Sequence, residues 1–284
     1  MGITDMNPSL RRFITSVPIL RGAYYRVRSL RNERRTLRTA RKVFQNVEDY
    51  ARALTEERPN QRLDLRMHDG LQFTVRQNKR DAAILAEVFL DQEYTGGFRL
   101  PENPIVVDIG GYIGDFAVYA AKYLVAKKVI TIEPSPQNFV LLEANIRNNN
   151  YRDRVIALQM AVTDGNPTKL NIDTAEAGQM RVSAYYGNSH GQLKDVPGIS
   201  LTQIMKEYSL PTIDLLKIDC EGGEYLILLT APAEVLHATQ NIIFEYHEID
   251  NFASMLAEVK ERLAAEGFVL KTHGRGRNLI SATR

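Results

Sequence analysis

A doubly wound α/β fold with a mostly parallel sheet follows from three features of the sequence. From residue 105 onward, apolar strand-like runs alternate with segments of helical periodicity, the pattern of parallel strands joined by crossover helices. The first run, "IVVDI" (105–109), is apolar enough to be covered on both faces and passes straight into a glycine turn. "GFVLKTHGRGRNLISATR" (267–284) reads as two strands around a Gly-containing turn, which adds an antiparallel hairpin at one edge.

The elements follow in order. "RLDLRMHDGLQFTVR" has two alternating runs around Asp69-Gly70, a hairpin signal. "KRDAAILAEVFLDQEY" has helical periodicity and stops near Gly96-Gly97. Strand "PIVVDIG" leads to helix "GDFAVYAAKYLVA", and strand "KVITIEP" to helix "SPQNFVLLEANIRNNN", opened by a Ser cap and a Pro. "RVIALQMAV" is one strand, followed by a Gly- and Tyr-containing stretch (165–200) with no element assigned. Then come helix "SLTQIMKEY", strand "IDLLKID", helix "GGEYLILLTA", strand "NIIFEYHE" and amphipathic helix "FASMLAEVKERLAAEG".

Composition narrows the class. The 284 residues are 44% hydrophobic and 25% charged, ordinary for a soluble globular chain. No uncharged apolar run approaches the roughly 18–20 residues of a membrane span, and "FITSVPIL", flanked by arginines, does not read as a signal peptide. A single cysteine, Cys220, excludes an intramolecular disulfide and fits a cytoplasmic location.

The net charge of +2 hides an asymmetry: residues 1–58 carry 13 Lys and Arg against 6 Asp and Glu. We therefore divide the chain into a basic helical N-terminal appendage, 1–58, and an α/β domain, 59–284. The appendage fits three roles: packing on the domain, contact with a second copy of the chain, or peripheral contact with an anionic membrane. No nucleic-acid motif accompanies its arginines, so nucleic acid is not an expected partner.

In a doubly wound sheet, ligands bind beyond the carboxyl ends of the strands. That rule selects Asp108, Glu133, Ala161-Val162, Asp219 and Glu245. Asp108 is followed by Gly110, Gly111 and Gly114, which permit a sharp turn and close approach to a ligand, with Asp115 behind. The dinucleotide spacing G-x-G-x-x-G would need glycine at 109, which is Ile. An acid before the loop would also repel a pyrophosphate. It favours a cationic, phosphate-free cofactor, and S-adenosylmethionine carries a sulfonium and an α-ammonium. Glu133, with Pro134 after it, ends the next strand, where an acid accepts ribose hydroxyls. Ala161, Val162 and Asp164 end the next strand, where they could meet the adenine edge or form an ordinary loop. In "KIDCEGGE", Lys217 and Asp219 share a strand face, and Glu221 and Glu224 follow in the turn. Glu245 and His247 alternate at the end of the following strand, and His247 beside acids fits a general base. A structural ion-pair cluster remains the alternative for this group, and Cys220 reads as a small apolar residue.

"VVDIGGYIGDFAVYAA", "TIEPSP", "DLLKIDCEGGEYLIL" and "FEYHE" together resemble the FkbM family of S-adenosylmethionine-dependent methyltransferases. The resemblance covers roughly residues 60–282, since "RDAAILAEVFLDQEY" is similar to the family's lead-in. "KIDCEGGE" is its most specific element, close to the usual K-I-D-V-E-G-A-E. The resemblance implies a class I, Rossmann-like methyltransferase domain and O-methylation of a hydroxyl on a sugar, glycolipid, polysaccharide or secondary metabolite. His247, Asp219 and Lys217 are the candidate bases. By analogy with catechol-type O-methyltransferases, Asp219, Glu245 and His247 could hold magnesium or another divalent metal. A nucleotide-dependent oxidoreductase on a similar sheet, and a non-catalytic S-adenosylmethionine-binding protein, are the competing readings.

Overall fold

The computed structural model describes residues 38–78, 80–95, 97–173, 179–182, 192–249, 251–273 and 278–284. Residues 1–37, which carry most of the basic segment, and residues 274–277, where the sequence predicts a turn, lie outside the described residues.

The chain enters through α1 (Val47–Thr55) and the hairpin β1 (Arg58–Arg66) and β2 (Gln72–Gln77). Helix α2 (Arg80–Phe89) and a 3₁₀ turn (Glu93–Thr95) lead to the alternating part. There β3 (Ile105–Ile109), α3 (Asp115–Tyr123), β4 (Lys128–Ile132), α4 (Pro136–Asn148) and β5 (Val155–Leu158) build one half of the sheet. After an excursion come α5 (Leu201–Glu207), β11 (Leu215–Ile218), α6 (Glu224–Thr230), α7 (Ala233–His237), β12 (Asn241–Glu245), α8 (Phe252–Ala265), β13 (Val269–His273) and β14 (Leu279–Thr283).

Seven strands form the main sheet in the order β13-β14-β12-β11-β3-β4-β5. The neighbours from β12 to β5 are parallel; β14 is antiparallel to both of its neighbours. The expected edge hairpin is therefore present, with β14 inserted between β12 and β13. The strand order reverses at β3 and β11, the switch point at which such sheets bind ligands.

Strand alternation sorts the core into two layers. Val106, Val129, Leu215 and Ile243 pack with Phe116, Ala120 and Leu142 on one face. Val107, Ile130, Leu216 and Phe244 pack with Ile204, Leu228 and Val259 on the other. Phe44, Tyr50 and Ala53 belong to the first layer, stacked with Phe44 against Tyr50 at 4.4 Å. The described part of the basic segment, from Arg38, is thus built into the domain, and the division drawn at 58/59 falls at the first residue of β1.

Local sequence accounts for the helix starts. Ser135 caps α4 by accepting from Asn138 N at 3.4 Å, with Pro136 in the first turn. Ser200 and Gln203 form a reciprocal capping box on α5.

Two regions depart from the sequence expectation. "RVIALQMAV" is two strands: β5 ends at Leu158, and β6 (Ala161–Val162) leaves the main sheet to pair with β10 (Gly198–Ile199). Among the described residues β5 has no main-sheet neighbour on its outer side, so the chain can peel away there at little cost. Between β6 and β10 lies a three-stranded antiparallel sheet of β7 (Thr168–Asp173), β8 (Gln179–Val182) and β9 (Gln192–Val196).

Candidate active site

The parallel register places polar residues side by side on three adjacent strands. Lys217 on β11 is opposite Asp108 on β3, which is opposite Thr131 on β4. Asp108 Oδ1 lies 3.1 Å from Lys217 Nζ, and Oδ2 accepts from Thr131 Oγ1 at 2.8 Å. Lys217 also donates to Gly110 O at 2.9 Å. Both charged side chains are almost wholly buried, at 4% and 0% exposure. Asp108 therefore stands behind the ligand cleft as the counter-ion of Lys217. Burial opposes the ammonium, but Asp108, Asp219 and Asp115 outweigh it and raise its pKa further. An ammonium so held cannot accept a proton at neutral pH, so Lys217 is not the base.

The glycines make room for protein. Gly110 has φ +80°, and a Cβ there would meet Asp219 O at 1.7 Å. The loop after β3 and the loop after β11 touch at this point, and only a residue without a side chain fits between them. Gly111 abuts Thr131, and Gly114 abuts Leu142 of α4.

Above these loops lies a cleft of about 900 Å³, part of it open to solvent. Gly110, Asp115, Glu133, Pro134, Ala161, Val162, Lys217 and Asp219 of the sequence-derived set line it; Asp108, Gly111 and Gly114 do not. Asp164 is exposed and bonds its own turn through Asn166, away from the cleft. Glu133 accepts from Tyr112 N at 3.0 Å, Ser135 N at 2.8 Å and Asn138 Nδ2 at 3.2 Å. Burial nevertheless pushes its carboxyl up to about 7. Asp115, the first residue of α3, is likewise raised to about 7 by burial. Ile84, Ile132, Met160 and Leu170 supply apolar walls.

Beyond Asp219 a second polar group gathers. Tyr94 OH donates to Asp219 Oδ2 at 2.9 Å and lies 3.5 Å from Glu245 Oε2. Its buried ring packs edge-on to Phe116 at 5.6 Å. Buried Glu224 accepts from His247 N at 2.8 Å, and His247 Nδ1 lies 3.1 Å from the same oxygen. His247 Nε2 faces Asp219 and Glu221, each at 3.8 Å. Asp219, Glu245 and His247 each place a ligand atom within 4.8 Å of the others.

The electrostatics of the three differ. Burial would raise Asp219, but Lys217, His247 and the Tyr94 hydroxyl hold it below the usual carboxylate range. Burial and the charge of Asp219 push Glu245 up to about 7. Burial would lower His247; the hydrogen bond and charge of Glu224, with Asp219 and Glu221, lift it to about 9. His247 is thus cationic at neutral pH.

Sequence reasoning missed Arg80, Tyr94 and Tyr112, all of which line the cleft. Arg80 Nη2 bonds Glu221 Oε1 at 2.9 Å, across 141 residues of sequence. Tyr112 is held by its hydroxyl on Asp81 at 2.6 Å. Arg80 and Tyr94 sit in "RDAAILAEVFLDQEY" and Tyr112 in "GGYIGD", but their partners are distant in sequence, and periodicity carries no signal for such contacts.

The Methyltransferase FkbM domain profile matches residues 108–270, more than half of the chain. The chain belongs to the FkbM methyltransferase family. Among its relatives, Methyltransferase sdnD of Sordaria araneosa is 29% identical over 196 residues, covering 58% of this chain and 74% of that protein. The 31-O-demethyl-FK506 methyltransferase FkbM of Streptomyces tacrolimicus is 25% identical over 227 residues, covering 66% and 81%. A crystal structure of methyltransferase FkbM from Methylobacillus flagellatus KT aligns with TM-score 0.46 and 14% identity, over 70% of this chain and 48% of its own. The FkbM membership agrees with the open α/β sheet, and among the described residues no helix is long and apolar enough to cross a membrane.

Proposed function

We propose that this FkbM-family methyltransferase uses S-adenosylmethionine to methylate a hydroxyl of a sugar, glycolipid, polysaccharide or secondary metabolite. The observation that carries the reading is the adjacency of an acid-lined cleft to the Asp219–Glu245–His247 group. The cleft suits the cofactor on three counts. Its lining acids, Asp115, Glu133, Asp219 and Glu221, favour a cation over a pyrophosphate. Its apolar walls suit a purine. Among the described residues, one oxygen of buried Asp115 has no hydrogen-bond partner. Bound there, the sulfonium cofactor supplies an electrophilic methyl group.

Glu133 would accept the ribose hydroxyls, and the residues after β5 would flank the adenine. The chain's remaining task is to align the acceptor oxygen and take its proton. Glu245, poised near neutrality and next to Asp219, is the group best matched to receive it. His247, cationic and fixed by Glu224, would support the charge that develops. An oxygen acceptor is also the one named for the Streptomyces relative, a 31-O-demethyl-FK506 methyltransferase.

A second reading for proton removal has its own observation. Glu224 engages Nδ1 of His247 and leaves Nε2 toward Asp219, the arrangement in which a histidine ligates a metal while a carboxylate orients it. A divalent ion held by Asp219, Glu245 and His247 would then lower the pKa of the acceptor hydroxyl.

The test is calorimetry with S-adenosylhomocysteine and NAD, followed by turnover in EDTA. Binding of the first and not the second supports the reading, and Glu133→Ala should weaken it by about 1.5–3 kcal/mol. Full activity in EDTA excludes the metal, and full activity of Glu245→Gln excludes Glu245 as base.

A further inference from the structure

A second cavity lies behind the reacting group. Tyr94, Phe98, Leu100, Pro101, Leu124 and Leu215 line a pocket of about 630 Å³, part of it open to solvent. That size suits a small-molecule site. Among the described residues, Tyr94 alone lines both this pocket and the acid-lined cleft. Its hydroxyl is committed to Asp219, and Lys217 Nζ lies over its ring, 5.2 Å from the centroid. Leu215 and Lys217 share a face of β11, and Asp219 continues the alternation just beyond its end. At about 3.3 Å per residue, the wall formed by Leu215 is about 13 Å from Asp219. One aromatic ring thus stands between the Asp219–Glu245 carboxylates and an apolar pocket on the same side of the sheet.

The lining decides what such a pocket can hold. Apart from the Tyr94 hydroxyl, none of its six side chains carries a polar atom. A sugar or a charged group placed there would lose its water and gain no hydrogen bond in return. An aliphatic chain has no such loss and gains by leaving water. The apolar surface also continues outward. Leu124 is flanked in the chain by Tyr123 and Val125, which are 46% and 52% exposed.

We propose that this pocket receives an aliphatic chain carried by the acceptor, so that the molecule methylated is an amphiphile. Its hydroxyl lies at Glu245, and its chain passes the ring of Tyr94 toward Leu215. The assignment rests on the methyl-transfer reading above and selects the glycolipid among the acceptors named there.

Calorimetry of the full chain with methyl, hexyl and decyl β-D-glucoside tests it, each below its critical micelle concentration and with S-adenosylhomocysteine present. Affinity should rise about fourfold for each methylene that enters the pocket, the worth of burying one CH₂ group. Leu100→Trp, which fills the pocket, should abolish the dependence on chain length and leave S-adenosylhomocysteine affinity unchanged. Phe98→Glu, which puts a charge in the pocket, should do the same and serves if the first variant does not fold. Decyl sulfate separates the acceptor role from adventitious detergent binding. A head group held at Asp219 and Glu245 disfavours an anion, so decyl glucoside should bind more tightly than decyl sulfate; the reverse order would overturn the proposal. Equal affinity for the three glucosides, as expected of a pocket already filled by another part of this chain or by a second copy, also overturns it. So does a dependence on chain length that survives both variants. If S-adenosylhomocysteine itself does not bind, the methyl-transfer reading falls and the acceptor role with it.

Discussion

Removing the Lys217 ammonium should cost this protein a large part of its stability. In Lys217→Met, Asp108 keeps one hydrogen bond, from Thr131, and loses its counter-ion at zero side-chain exposure. Breaking a buried pair from one side typically costs about 3–5 kcal/mol, because the remaining charge is stranded. Gly110 O also loses its donor. For a chain of this size, with about 2–4 °C per kcal/mol, the melting temperature should fall by roughly 6–20 °C. Adding Asp108→Asn removes the stranded charge, so the double variant should regain most of the loss, with a coupling of about 2–3 kcal/mol. Thermal denaturation followed by circular dichroism measures all three variants. The effect should be flat from pH 5 to 9: the folded pKa of Lys217 lies above its ordinary value, so the pair's contribution disappears only at strongly alkaline pH. S-adenosylhomocysteine affinity separates the roles of Asp108. If Asp108 acts through Lys217, the double variant regains affinity that Asp108→Asn alone lacks. A Lys217→Met protein within about 1 kcal/mol of wild type, or a double variant no better than the sum of the singles, would refute the argument.

Three further outcomes are expected. Gly110→Ala places a Cβ 1.7 Å from Asp219 O at φ +80° and should cost about 2–5 kcal/mol, whereas Gly70→Ala, with open space at φ +93°, should cost about 1–2 kcal/mol; equal melting temperatures would contradict this. The ligand-free protein should lose stability as pH rises. The carboxyls of Asp115, Glu133 and Glu245 sit near 7 when folded against 3.8–4.5 unfolded, so the folded state binds more protons between about pH 4 and 7. His247, near 9 against 6.5, extends the loss to about pH 9. A melting temperature that rises from pH 5.5 to 8 would reverse the sign. Finally, the net +7 of residues 1–58 should give salt-sensitive adsorption to anionic liposomes. Cosedimentation at low salt checks it, and no adsorption there would leave contact with a second copy as the preferred role.

Much of the fold was legible because it rests on local chemistry. Period-2 and period-3.6 runs located the strands and helices of the main sheet, and Ser135-Pro136 marked the start of α4. The excursion was harder to read. β6 is two residues long and finds its partner 37 positions later, at β10, which periodicity cannot reveal. The site was legible as a set of residues and less so as a set of roles. Asp108 looks like a ligand-facing acid until the register sets it opposite Lys217. His247 looks like a base of ordinary pKa until Glu224, buried and 23 positions earlier, is seen holding its ring. Both differences have the same origin: the setting of a side chain depends on neighbours that the fold supplies.

The place of β14 between β12 and β13 has a consequence for biosynthesis. Glu245 ends β12 directly opposite Leu279, so the strand that carries it keeps a bare edge until β14 is made. Of the described elements, β14 leaves the ribosome last. At about 5–20 residues per second, the nascent chain carries β12 unpaired on that side for several seconds. During that interval the edge is open to pairing with another chain, and any chaperone that shields this protein would have most to do there.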